Sequence, residues 1–124
     1  NMVVDVYINI LQANASTRCA GINAAALALA HAGIPMKELV SSVSIGKLDK
    51  NLVVDLIKEE EDFEEGEGST DIPITLTNSG KITHIQLDGK ITGKELKEVL
   101  KLARKATKEI YEVQKKALKE SVKL

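Results

Sequence analysis

Along the first segment apolar residues fall on every second position. Val4, Val6, Ile8 and Ile10 alternate with Asp5, Tyr7, Asn9 and Leu11, the period of a strand with one buried face. The pattern changes at Ala20. From there to Ala32 the chain is rich in Ala and Leu, the strongest helix formers, and Gly33 followed by Ile34-Pro35 reads as a left-handed cap with a stop behind it. Small side chains at Ala20, Gly21, Ala24, Ala25, Ala28 and Ala32 leave room for a neighbour, while Ile22, Leu27 and Leu29 fill gaps, so this helix is expected to be internal. Val40 to Gly46 and Leu52 to Ile57 then read as the two strands of a hairpin across residues 47–51.

Ile72, Ile74 and Leu76 alternate with Pro73, Thr75 and Thr77, and Asn78-Ser79-Gly80 turns the chain into Ile82 to Leu87, with Ile85 and Leu87 expected inward. Pro73 cannot donate to a ladder and favours an edge or a bulge. Thr92-Gly93-Lys94-Glu95 matches a capping box. Behind it, Leu96, Val99, Leu100, Ala103, Ala106, Ile110, Val113 and Ala117 form an apolar stripe at helical period. The order strand, helix, two hairpins, helix predicts an α+β domain, a sheet backed by two helices.

Composition narrows the chemistry. A chain of 124 residues can bury one core. Tyr7, Phe63 and Tyr111 are its only aromatics, so any nucleic acid must be held mainly by its backbone. The net charge is −1, but unevenly placed. Asp55 to Asp71 holds nine acids against Lys58, a solvated surface loop around Glu59 to Gly68, and ten of the seventeen basic residues lie from Lys94 onward. Lys94, Lys97, Lys101, Arg104, Lys105 and Lys108 share the polar side of the last helix, where a solvated face is the plain reading and an RNA track the sharper one. Cys19 is the single cysteine, which excludes an internal disulfide and fits a reducing compartment. No apolar run is long enough to span a bilayer, so the expectation is a cytoplasmic protein without membrane contact.

The candidate chemistry gathers at the first helix. Ser16 and Thr17 can cap its free amides, with Arg18 directly behind. Amides carrying partial positive charge beside hydroxyls and a guanidinium are suited to a phosphate. An ordinary cap with a surface arginine is the alternative from these residues alone. Cys19 reads as a small packed residue, and His31 and His84 have no ligand spacing around them.

LQANASTRCAGINAAALALAHAGIP, a strand ending in VVDL, an acidic loop, STDIPIT and a closing amphipathic helix together resemble the second half of an RNase PH domain. Within that family, AGIPMKEL and the motif order are most similar to the phosphorolytic subunit of the archaeal exosome ring. The resemblance covers nearly the whole chain. It implies an RNase PH-like (ribosomal protein S5 domain 2-like) half-domain over residues 1–124, with a mixed sheet of about five strands packed with two helices and the N-terminal half absent. It implies removal of nucleotides from RNA 3′ ends, with inorganic phosphate as co-substrate and nucleoside diphosphates as products. Ser16, Thr17 and Arg18 would hold the phosphate. Asp71 would support the leaving oxygen, as general acid or by holding Mg2+ or Mn2+ with Asp62 or Glu67. Asn14, Ser16 and Ser69 stand where the family usually has Asp, Gly and often an acidic residue. The implied partners are a paralogous RNase PH-type subunit in a hexameric ring, RNA-binding cap subunits and the missing half, without which the chain is expected to be inactive. A non-catalytic ring subunit that scaffolds the assembly and binds RNA is the second possibility.

Overall fold

The computed structural model describes residues 2–121. Its elements are α1 (Thr17–His31), β1 (Val40–Leu48), β2 (Asn51–Val54), α2 (Lys58–Glu61), β3 (Ser69–Thr77), β4 (Ile82–Ile85) and α3 (Gly93–Ser121). The sheet has four strands in the order β2-β1-β3-β4, and every pairing is antiparallel. The α+β class is as expected; among the described residues the sheet is antiparallel rather than mixed and has no fifth strand.

That strand was expected at residues 4–10. The segment carries no regular secondary structure and pairs with no described strand. Its alternation survives as a difference in cover. Val4, Val6, Ile8 and Ile10 are about half exposed, whereas Val3, Tyr7 and Leu11 are almost fully so. Ile8 rests against Gly21, 3.4 Å from where a Cβ would stand. A strand is defined by its ladder, and an apolar period alone cannot supply one.

The core lies between β1, β3 and α3. Val43, Ile45, Ile72, Ile74, Leu76, Val99 and Ala103 form it, with Ile45, Ile72, Ile74, Val99 and Ala103 fully buried. α3 opens on the expected capping box: Thr92 N and Oγ1 donate to Glu95 Oε2 at 2.8 and 2.7 Å. The apolar stripe drifts, however. Beyond Ala103 the buried positions are Thr107 and Gln114, and Val113 is 69% exposed. Polar contacts explain the choice: Ser41 Oγ donates to Gln114 Oε1 at 2.8 Å, and Gln114 Nε2 donates to Val40 O at 3.2 Å.

α1 is not internal all round, since Ala20, Ala24 and Ala28 are exposed. It packs where β1 runs on past the short β2. Asn23 takes the place of the absent strand there, accepting from Ser42 N at 2.7 Å and donating to Ser42 O at 2.8 Å. Gly33 adopts the left-handed cap foreseen for it (φ 74), and Ile34 N closes onto Leu29 O at 3.1 Å.

Pro73 stands in a central strand rather than at an edge. It faces Ser44 of β1, and on its other side Gln86 N reaches Pro73 O at 3.1 Å with no amide to answer. The missing donor breaks the ladder. β4 ends at Ile85, and pairing resumes only as an isolated bridge between Asp71 and Asp88. Ile85 and Leu87 are 45% and 42% exposed rather than inward, as befits an edge strand.

Candidate functional site

Ser16 does not cap α1. Ala15 and Ser16 both take left-handed conformations (φ 56 and 52), a costly state for residues with a Cβ. In that geometry the Ser16 hydroxyl turns away and donates to Leu56 O at 3.2 Å. The Thr17, Arg18 and Cys19 amides, which have no intrahelical acceptor, are left without a side-chain cap. No acidic residue lies in the first turn.

These amides open on a cleft of ≈ 370 Å³ whose lining includes Ser16, Thr17, Arg18, Ser44, Asp71 and Asp88. The residues singled out in sequence at positions 16–18 and 71, far apart along the chain, therefore share one space. Asp71 occupies the third position of β3, where register with Gly46 puts it on the same side as Ser44 and Pro73. The buried Ser44 hydroxyl donates a hydrogen bond to Asp71 Oδ1. Across the bridge, Asp71 N donates to Asp88 O at 2.8 Å and Asp88 N to Asp71 O at 2.9 Å. Directly opposed residues put their side chains on one face, so Asp88 is the acid that accompanies Asp71.

Asp88 was not foreseen. Asp88-Gly89-Lys90 reads in sequence as a turn, and its role depends on a backbone approach. Gly89 (φ 121) lies so close to β3 that a Cβ would stand 2.5 Å from Thr70 Oγ1. Thr70 Oγ1 in turn donates to Lys90 O at 2.9 Å and accepts from Lys90 N at 3.0 Å.

Asp62 and Glu67 are not the partners of Asp71. Asp62, just past the end of α2, pairs with Lys58 Nζ at 2.7 Å. Glu67 pairs at 2.5 Å with the buried Lys47, which also holds Glu95 at 2.9 Å. Neither Asp62 nor Glu67 is among the residues that line the cleft, whereas Glu61 and Lys58 of α2 are. Among the described residues no three His, Cys, Asp or Glu side chains gather as a metal cage. Asp71 and Asp88 fit the sparser requirement of Mg2+, one or two carboxylates with water and substrate phosphate completing the shell.

The other singled-out residues are structural. Burial is the main cause that raises the Cys19 thiol above its ordinary value, with the bond to Ser42 opposing it and Asp71 and Asp55 adding to it. Asn14 Oδ1 accepts from Lys58 N at 2.8 Å, tying the α1 approach to α2. Ser69 Oγ donates to Glu61 O at 2.5 Å. His31 Nδ1 meets Ser121 Oγ at 3.2 Å. No described helix is long and apolar enough to cross a membrane.

Residues 38–106 match the family described as 3′ exoribonuclease family, domain 2. That is more than half of the chain, and the chain belongs to this family. The match takes in Asp71 and Asp88 and stops short of Ser16, Thr17 and Arg18. Among curated relatives, the chain is 47% identical over 102 residues to exosome complex component Rrp41 of Methanosarcina mazei, covering 82% of this chain and 20% of that protein. It is 48% identical over 103 residues to the protein of that name from Thermococcus kodakarensis, covering 82% and 40%. For Methanopyrus kandleri Rrp41 the figures are 44% over 103 residues, 82% and 41%. The chain thus spans about two fifths or less of the length of these relatives. The crystal structure of rice Rrp46 superposes with a TM-score of 0.75 at 24% identity, covering 86% of this chain and 49% of that one, which shows a shared fold.

Proposed function

We propose that this chain is the second half of a phosphate-dependent 3′-to-5′ exoribonuclease subunit, working in an exosome ring and releasing nucleoside diphosphates from RNA 3′ ends. The observation that carries the reading is the cleft in which Asp71 faces the uncapped start of α1. In this reading the uncapped Thr17, Arg18 and Cys19 amides and the Arg18 guanidinium hold inorganic phosphate. One phosphate oxygen attacks the terminal phosphodiester phosphorus while the bond to the preceding 3′ oxygen breaks. Asp71, steadied by Ser44, serves that departing oxygen as proton donor, and Asp71 and Asp88 are the residues that would hold a divalent cation. Mg2+ or Mn2+ bound there would supply positive charge to the phosphates. Asp62 and Glu67, which pair with Lys58 and Lys47, are assigned no part in it.

The complete site needs more than this chain. The first half of the domain, a paralogous ring subunit and RNA-binding cap subunits are the proposed partners. A non-catalytic ring subunit is the second reading. It is favoured by the absence, among the described residues, of any group of three metal-ligating side chains around Asp71. Crystals of the complete gene product grown in phosphate test the anion site: density against the Thr17 and Arg18 amides is the expected result, and an anion found only along α3 refutes it. Nucleoside diphosphate release by the assembled ring decides between the two readings, since the scaffold binds RNA and releases none.

A further inference from the structure

On α3, Arg104, Lys108, Tyr111, Lys115 and Lys119 recur at intervals of three or four residues, one face of the helix over about 22 Å. Two cavities open against this face and meet at Asn78 and Tyr111. The first, ≈ 230 Å³, lies between α3 and the β3–β4 turn and carries Arg104 and Lys108. The second, ≈ 480 Å³, lies between α3 and the turn that leaves α1, with Lys37, Lys115 and Lys119 around it. Together they make a groove, which a solvated helix face would not have.

The cations in it are largely uncommitted. Arg104 Nη1 donates to Gly80 O at 3.0 Å, and Arg104, Lys37, Lys108 and Lys119 have no carboxylate within 4.0 Å among the described residues. Lys115 pairs with Glu112 at 2.7 Å and stands 5.3 Å over the Tyr111 ring. One acid, Glu38, lines the groove. The Ser79 amide and hydroxyl bind its two oxygens at 2.9 Å each, which holds its carboxyl below the ordinary value.

We propose that this groove binds the phosphodiester backbone of single-stranded RNA, as a site separate from the Asp71 cleft. Thr77, on its rim, is six residues along β3 from Asp71, about 20 Å. Positive groups a helical turn apart match a polyanion, and Tyr111 at the midpoint gives a base a ring to meet. The wall at Thr77, Asn78 and Ser79 is polar, which suits sugar and phosphate, while Ile34, Met36, Leu39 and Leu118 give the second cavity an apolar floor that bases can cover. That RNA is the polyanion rests on the exoribonuclease reading; the groove itself does not.

The test is fluorescence anisotropy of a labelled oligouridine with the complete gene product, in phosphate-free buffer at several salt concentrations, on an Asp71→Asn background. Replacing Arg104 and Lys108 by Gln should weaken binding and make the salt slope shallower by about 1.4, two phosphate contacts at ~0.7 each. Lys94→Gln with Lys97→Gln, on the open part of α3, should stay within twofold of the parent. Binding unchanged by the Arg104/Lys108 pair, or weakened equally by the control pair, overturns the proposal. So does a pair that loses polyglutamate but keeps oligouridine, which would assign the groove to an acidic protein. Should the Arg104 variant melt early, Lys108→Gln with Lys119→Gln takes its place under the same criteria. A groove that fails here beside a ring that still releases nucleoside diphosphates leaves the catalytic reading intact, and the reverse result leaves the groove.

Discussion

Asp71 lies at the mouth of the sheet, half-buried, and its substitution opens no cavity. Asp71→Asn in the assembled ring should lower single-turnover release of nucleoside diphosphate by ~100-fold or more, because Asn neither gives a carboxyl proton nor holds a cation as tightly. Filter binding of RNA and the melting temperature should be unchanged; parental release would move the role to Asp88. A second prediction concerns Glu95. Hydrogen bonds from the Thr92 hydroxyl and amide, then from Lys47, take its pKa from 4.5 to about 2. A folded-state pKa below the unfolded one stabilises the fold above about pH 4.5, and that contribution disappears as pH falls toward 2. Thermal melts of Glu95→Gln should be flatter than the parent's across that window, with the difference largest near neutrality.

At the scale of elements, the approach of Gly89 to β3 decides where Asp88 stands. Gly89→Ala combines an unfavourable φ of 121 with a Cβ driven to within 2.8 Å of Ser69 O and the Thr70 Cα. It should cost about 1–3 kcal/mol in denaturant melts and reduce activity beyond what the lost stability explains, since Asp88 moves with it. A parental melt for Gly89→Ala would show that the bridge is dispensable. Ile72, next to Asp71 on the central strand, is a fully buried member of the core, so Ile72→Ala should cost ~2–5 kcal/mol and lower activity through folding alone. Glu67 is held by Lys47, and Asp62 by Lys58. These pairs turn the acidic loop into a braced surface segment rather than a ligand arm.

For the whole molecule, the segment before α1 is the informative part. Residues 3–13 make no backbone hydrogen bond with another described residue, whereas β1 and β3 are paired through nine consecutive positions. Hydrogen exchange of the isolated chain should therefore label residues 3–13 almost at once and β1 and β3 last. Protection of residues 3–13 in the complete gene product would identify that segment as a strand awaiting its ladder. Equal exchange in both would mean that its alternation serves only to cover Gly21 and its neighbours on α1.

Local chemistry was readable wherever it acts over a few residues: the Thr92-Glu95 box, the Gly33 stop of α1, the two hairpins and the apolar core of Ile72, Ile74 and Leu76. Ser16, Thr17, Arg18 and Asp71, singled out through the resemblance of their motifs, line one cleft. What the chain could not disclose in one dimension needed distant partners. Ser16 turns to Leu56, Pro73 enters a central strand, Asn23 replaces a strand beside Ser42, and Gln114 displaces Val113 from the core because Ser41 and Val40 await it. Sequence period reports which side of an element prefers to be dry. Only the tertiary structure decided which polar groups find partners across the fold, and it thereby set Asp88, rather than Asp62 or Glu67, beside Asp71.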